Sequence, residues 1–213
     1  MVGKSIAEQI TEARTLIDNS RNHEDIREAL TQFGYSLKNL DQGQALLEEF
    51  ITLHRSKKTT YGARFSATDT VRTEWQQIKD TYEEHRTLAR LAFKTDRGVQ
   101  EALGLNKPQP KRRAEQNEQL ASFYAKIGQH HKALQRYGIT KTALEQAQAM
   151  VNTFIQSQQQ QQQKTGEAQS TTRRRNDALK KLQRWVRGYR AIVRVALDEQ
   201  PQLLEALGIV VRV

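Results

Sequence analysis

The sequence predicts an all-α protein: an elongated antiparallel bundle built from two tandem long helical hairpins. Three observations predict this fold: a composition rich in helix formers, apolar residues at helical spacing, and an internal repeat. The 213-residue chain contains 3 prolines and 11 glycines and is rich in Ala, Leu, Gln, Glu, Arg and Lys, which favour helices. A hydrophobic share of 37% suits helices that each bury one stripe.

The chain aligns with itself, without gaps, at an offset of 104 residues. Residues 33–50, "FGYSLKNLDQGQALLEEF", match residues 137–154, "YGITKTALEQAQAMVNTF", and residues 85–105 match residues 189–209. Seventeen of 73 aligned positions are identical, where average composition gives roughly 5. Glycines and loop residues are among the matches, and helical periodicity does not demand them. The pattern therefore indicates a tandem duplication.

Each repeat is predicted to form a helical hairpin. In the first repeat, apolar residues recur at three- and four-residue steps in both arms. The stretch "SKKTTYGARFSAT" (56–68) interrupts this pattern, and Ser66 or Thr68 is expected to cap the second arm. The second repeat shows the same arms, and an additional amphipathic segment precedes each repeat.

A proline-containing basic segment, "KPQPKRR" (107–113), separates the repeats. Its two prolines oppose a continuing helix. We therefore expect repeat 1 over residues 1–105, a linker over 106–113 and a basic repeat 2 over 114–213. The two hairpins are expected to pack as one bundle, because each exposes an apolar stripe that the other can cover.

The motif "EALG" followed by an apolar residue ends both repeats. Asp96 and Asp198 are expected to N-cap a short helix that ends at Gly104 or Gly208. Glycine after a helix takes the left-handed conformation without a Cβ penalty, and the following apolar residue packs back. The repeated motif is therefore interpreted as a helix stop.

Six consecutive glutamines occupy Gln158–Gln163. We expect them at the solvated tip of a helix. An amide contact to a neighbouring subunit is the alternative.

Charge distinguishes the two repeats. Residues 1–104 hold 15 Lys and Arg against 16 Asp and Glu, whereas residues 105–213 hold 19 against 8. The contrast is sharpest on the second arm, where acidic residues of repeat 1 align with arginines of repeat 2. The predicted acidic face comprises Asp69, Asp80 and Glu83. The predicted basic face comprises Arg173, Arg174, Arg175, Lys180, Lys181, Arg184, Arg187, Arg190 and Arg194.

Two functions fit these faces. The first is the preferred prediction: a structural, self-assembling protein, in which a homo-oligomer or polymer (a ring, filament or scaffold) forms when the acidic face of one molecule docks on the basic face of the next. In the second, the basic face tracks a nucleic-acid backbone without reading sequence. Binding of the same helix to an anionic membrane surface is a weaker third reading, because Leu182 and Trp185 would have to enter lipid. Trp185 and Tyr189 lie on or beside the apolar stripe and are expected in the core.

The sequence offers no pattern for catalysis. It contains no cysteine, which excludes disulfides and thiolate metal sites. The 5 histidines form no HExxH or ExxH pattern, and no phosphate-binding glycine loop or nucleophile elbow occurs. We expect a protein that is not an enzyme, with no cofactor, metal or small-molecule ligand. No secretory signal or transmembrane run is recognised, so the cytoplasm is the expected location, with signal-independent export left open.

Overall fold

The computed structural model describes residues 4–210, and the regular elements in this range are all helical. This confirms the all-α class. The α-helices are α1 (Ile6–Asn22), α2 (Glu24–Gln32), α3 (Leu37–Ala92), α4 (Arg97–Ala102), α5 (Arg113–Ile127), α6 (His131–Gln135), α7 (Lys141–Ala196) and α8 (Pro201–Ala206). A single 3-10 turn, Gly128–His130, joins α5 to α6. None of the helices in the described part of the chain combines the length and apolar character needed to cross a membrane.

The two long helices α3 and α7 each run for 56 residues without interruption. The expected turn at residues 56–68 is therefore wrong, and neither Ser66 nor Thr68 is a helix cap. The Thr68 hydroxyl instead donates to the Arg64 carbonyl one turn earlier, at 2.9 Å. The segment contains no proline, and Gly62 does not adopt a positive φ. Local breaker residues therefore lower helix propensity here without stopping the helix.

The chain divides into two compact units, and both long helices contribute to each. Unit 1 consists of Met1–Tyr61 with Glu167–Val213, and unit 2 consists of Gly62–Gly166. Each unit thus combines part of α3 with part of α7, together with shorter helices. Predicted repeats 1–105 and 114–213 divide the sequence differently, because each contributes residues to both units.

Within each unit α3 and α7 pack antiparallel. In unit 1, Gly43 near the start of α3 faces Trp185 near the end of α7, and Tyr61 meets Thr172 at 3.4 Å between hydroxyl oxygens. In unit 2, two contacts also join α3 to α7. Thr68 accepts a hydrogen bond from Gln161, and the Trp75 ring lies 5.6 Å from that of Phe154.

Each unit has its own apolar core. In unit 1, α1, α2 and α8 cover the long helices, and buried positions include Leu16, Ile17, Phe50, Leu182 and Val193. In unit 2, α4, α5 and α6 do the same, and buried positions include Ile78, Phe123, Ile127, Val151 and Phe154. The short helices therefore cover the stripes that the long helices leave open.

The repeated "EALG" motifs close helices as expected. Gly104 and Gly208 follow α4 and α8 with φ of 64° and 70°. Gly104 N–H donates to the Glu101 carbonyl at 3.1 Å, and Leu105 N–H donates to the Gln100 carbonyl at 2.9 Å. Leu105 and Ile209 are buried. This is the hydrogen-bond pattern of a Schellman motif with its apolar contact.

The two expected N-caps have different outcomes. Asp96 caps α4, because its Oδ1 accepts a hydrogen bond from Val99 N–H at 3.0 Å. Asp198 does not cap α8, so that prediction is wrong. Helix α8 begins at Pro201, which fixes the backbone φ of the first helical residue. The N-cap is therefore Gln200, whose side chain makes no cap hydrogen bond.

Residues 103–112 connect α4 to α5 outside any helix, and α5 begins at Arg113, the last residue of the predicted linker. Arginines of α3 fix the start of this segment. The buried Arg86 donates to the Lys107 carbonyl at 2.5 Å, and Arg90 Nε donates to the Leu105 carbonyl at 2.7 Å. The connection is thus tied to α3 by charge-assisted hydrogen bonds.

Replacing Gly43 with alanine tests the packing of α3 on α7. A Cβ atom at position 43 would overlap the indole ring of Trp185, so we expect the free energy of unfolding to fall by about 1–3 kcal/mol. Gly62 is the matched control, since it lies in the same helix with no atom within 4 Å of the added Cβ. Gly62→Ala should stabilise the protein by up to about 1 kcal/mol through helix propensity.

Urea unfolding followed by circular dichroism measures both variants. Equal stability of Gly43→Ala and Gly62→Ala would contradict the close approach of the two helices at Trp185.

Candidate functional site

Seven exposed cations line one face of α7 within unit 1. We call them the basic stripe: Arg173, Arg174, Lys180, Lys181, Arg184, Arg187 and Arg194. At 100° per residue, five of the seven fall within an arc of about 80° on the helix. This arc lies opposite the buried positions Leu182, Tyr189 and Val193. The stripe extends for about 32 Å, at 1.5 Å per residue.

The stripe is poorly compensated by negative charge. Among residues 4–210, none of its seven side chains forms an ion pair, and Asp177 is the one carboxylate of α7 between its ends. Arg187 Nε donates to the Gln183 carbonyl of its own helix at 3.3 Å. Lys180, Arg184 and Arg187 lie one turn apart on α7, and each such like-charge pair costs about 0.2–0.5 kcal/mol, which solvation and salt keep small.

Two arginines of the predicted basic face lie outside the stripe. Arg175 turns toward the core, with its guanidinium carbon 5.7 Å from the centre of the Phe50 ring. Arg190 forms an ion pair with Glu12 of α1, which also accepts from Lys4 Nζ at 2.6 Å. Glu12 therefore neutralises the charge of Arg190 where α1 packs on α7. Both arginines make contacts within unit 1.

Of the two aromatic residues next to the stripe, Tyr189 is buried in the core of unit 1, as the sequence predicts, and Trp185 is half-buried against it. Tyr189 is fully buried and hydrogen-bonded to the buried Ser20 hydroxyl, and burial raises the pKa of Tyr189 to about 12. Trp185 stacks on Tyr189 with ring centres 5.0 Å apart and an interplanar angle of 10°. The stripe therefore exposes charge without an aromatic surface.

The three residues of the predicted acidic face, Asp69, Asp80 and Glu83, lie on α3 within unit 2 and are exposed. Cations and amides are interspersed among them. Lys79 Nζ lies 3.8 Å from Glu83 Oε1, and Gln76 Nε2 donates to Asp80 Oδ1 at 2.9 Å. This surface therefore carries mixed charge, unlike the basic stripe.

The two units divide the charged residues differently from the two halves of the sequence. Unit 1 contains 18 Lys and Arg against 14 Asp and Glu, a net charge of +4, and unit 2 contains 16 against 10, a net charge of +6. Both units are thus positive, although residues 1–104 are nearly neutral.

The glutamine tract lies within α7 in unit 2, so its expected position at a helix tip is wrong. Gln158 Oε1 accepts from Asn117 Nδ2 of α5 at 2.5 Å, and Gln161 Nε2 donates to Thr68 Oγ1 of α3 at 3.3 Å. One side of the tract therefore packs on neighbouring helices of the same unit, while Gln159, Gln160 and Gln162 are exposed.

The histidines are used in packing contacts. His85 is buried in unit 2, with Nδ1 3.1 Å from the Tyr124 hydroxyl. His130 contacts the Phe93 ring, and His131 Nδ1 lies 3.1 Å from the Gly128 carbonyl. In the part of the chain that the structure describes, no three His, Asp or Glu side chains are grouped so that they could hold a metal ion.

Comparison with known proteins gives no match: no protein-family model, curated protein or solved structure resembles this chain significantly.

The buried His85 predicts a pH dependence of stability. Burial lowers the pKa of His85 below the usual 6.5, so the folded protein keeps the imidazole neutral. Below pH 6.5 the unfolded chain binds a proton that the folded chain does not. The free energy of unfolding should therefore fall on acidification, by up to about 1.4 kcal/mol per pH unit from this residue.

Urea unfolding at pH 7.5 and 5.5 measures the effect. His85→Gln should reduce the difference between the two pH values. Burial also lowers the pKa of His54, so some dependence should remain. An unaltered dependence in His85→Gln would contradict the assignment.

Proposed function

We propose that this protein binds nucleic acid through the basic stripe, without reading its sequence and without catalysing a reaction. The observation that carries the proposal is the set of seven exposed, unpaired cations on one 22-residue segment of α7. Rows of Lys and Arg suffice for such binding, because neutralised phosphates release their condensed counterions.

The position of the stripe supports this function. The apolar side of α7 is buried in unit 1, so the helix presents its charged side from a fixed support. A preorganised surface loses less conformational entropy on binding than a flexible basic tail does. Asp177 is the only carboxylate that α7 itself carries between residues 173 and 194.

Self-association through complementary faces, the first of the two functions predicted from the sequence, has less support. It requires a surface of negative charge to meet the stripe. The candidate residues Asp69, Asp80 and Glu83 are interspersed with cations such as Lys79 and belong to a unit of net charge +6. Long-range repulsion therefore opposes this contact.

Membrane-surface binding also has less support. An amphipathic helix lying on a membrane inserts its apolar side, and here that side, including Leu182 and Val193, is buried in the core of unit 1.

Reversing three charges of the stripe tests the proposal. The variant Lys180→Glu, Arg184→Glu, Arg187→Glu should bind a 24-base-pair duplex at least tenfold more weakly at about 50 mM salt. The slope of log affinity against log salt should become shallower by about 3, since each lost contact removes about 0.9. Fluorescence anisotropy over a salt series measures both quantities.

The matched control is Lys38→Glu, Arg55→Glu, Lys58→Glu, which makes the same change in net charge at exposed positions of α3 in the same unit. This control should retain most of the affinity, whereas equal losses in both variants would indicate a nonlocal effect of net charge. Absence of duplex binding at low salt would contradict the proposal. Salt-dependent light scattering that only the stripe reversal abolishes, without duplex binding, would favour self-association.

We also propose that the chain arose by tandem duplication. The bounds of α3 and α7 differ by 104 residues, and so do those of α4 and α8. The same offset relates the four glycines with positive φ, Gly34 to Gly138 and Gly104 to Gly208.

A buried hydrogen bond at matching positions supports the same origin. In unit 2 it joins His85 of α3 to Tyr124 of α5, and in unit 1 it joins Tyr189 of α7 to Ser20 of α1. Both residues of one pair lie 104 positions from their counterparts, although the identities of the side chains have changed.

This architecture predicts that the two halves stay together when the linker is cut. Each unit needs residues from both halves, because part of α3 packs on part of α7. A protease site inserted between Gln109 and Pro110 should give fragments that co-elute on size-exclusion chromatography with unchanged helical circular dichroism. Two independently folded fragments that separate without denaturant would contradict the prediction.

A further inference from the structure

We infer that the basic stripe takes double-stranded rather than single-stranded nucleic acid, contacting the phosphates of about one helical turn of the duplex. This inference rests on the proposed function and narrows its ligand class. It follows from two features of the stripe: its cations are exposed, and no exposed aromatic side chain lies among them.

Proteins that hold single strands combine a basic groove with aromatic side chains on which bases stack. Along residues 173–194 there are two aromatic residues, and both are held by contacts inside unit 1, Tyr189 fully buried and Trp185 half-buried. Tyr189 has no exposed surface, and Trp185 is stacked on Tyr189 and packed against Gly43 of α3. Trp185 cannot turn outward to a base without leaving its contacts in unit 1.

The remaining exposed side chains of this segment provide no substitute for an aromatic surface. They are small or polar, and no large hydrophobic side chain between residues 173 and 194 is exposed. A single strand bound here would be held by its phosphates alone. It would lose conformational entropy with no stacking to offset the loss.

A duplex avoids that cost, because its phosphates are already fixed in a regular array. Five of the seven cations form a row about 32 Å long, close to the roughly 34 Å of one duplex turn. It also lies on a convex helix surface that is held from behind by the core of unit 1. The match in length and rigidity favours backbone contacts along a duplex, at about ten base pairs for each protein molecule.

Fluorescence anisotropy with the full-length protein tests the inference. The probes are a 24-base-pair DNA duplex, a second duplex of unrelated sequence and the unstructured single strand oligo-dT of 24 nucleotides. We expect both duplexes to bind with affinities equal within about twofold. We expect the single strand to bind about tenfold more weakly at the same salt concentration.

The variant Trp185→Phe provides a second measurement, with circular dichroism used to verify folding. If the indole only packs inside unit 1, the affinity for oligo-dT should change by less than about twofold. A larger loss of oligo-dT affinity in the folded variant would mean that Trp185 stacks on bases of a single strand and would overturn the inference.

The outcomes separate the two proposals. Single-strand binding as tight as duplex binding would overturn the inference while leaving nucleic-acid binding through the stripe intact. Absence of binding to every probe at low salt would contradict the proposed function itself. Duplex preference that is lost on stripe reversal supports both.

Discussion

Packing of α3 against α7 is the interaction on which both units depend. Each helix runs for 56 residues with a mostly polar surface and one apolar stripe, and such a helix gains most of its stability from tertiary burial. The stripes meet through large side chains placed against small or complementary ones, as where Trp185 lies on Gly43 and Trp75 lies on Phe154. The shorter helices then complete a core in each unit.

This packing also determines which charges are available. With Leu182, Tyr189 and Val193 turned inward, the opposite side of α7 must face solvent, and most of its cations lie there. Side chains on the flanks are drawn into internal contacts, so Arg190 is paired with Glu12 and Arg175 lies over Phe50. The proposed binding surface therefore consists of those cations of residues 173–194 that form no ion pair or aromatic contact inside unit 1.

Both units contain a buried polar contact at matching positions, made by different side chains. A buried polar contact joins a long helix to a shorter one in both, as His85 with Tyr124 and as Tyr189 with Ser20. Under the proposed duplication, such pairs exchanged large and small residues while keeping a hydrogen bond, which buried polar groups require. The exposed faces of α3 and α7 are free of that constraint, which agrees with the difference between the mixed charge on α3 and the basic stripe on α7.

The sequence alone determined the features that depend on local chemistry. Helical periodicity identified the apolar stripes, and Gly104 and Gly208 were recognised as helix stops because a left-handed residue after a helix favours glycine. Asp96 was recognised as an N-cap, because a capping Asp accepts a hydrogen bond from a backbone N–H three residues later, as it does here from Val99. The tertiary structure decided the features that depend on distant residues. In it, α3 continues through the Ser-, Thr- and Gly-containing stretch at residues 56–68, and one side of the glutamine tract contacts α3 and α5. Each unit also combines parts of both long helices. Local propensity differs by less than about 1 kcal/mol per residue between most amino acids, so the burial of a continuous stripe against a partner helix outweighs it.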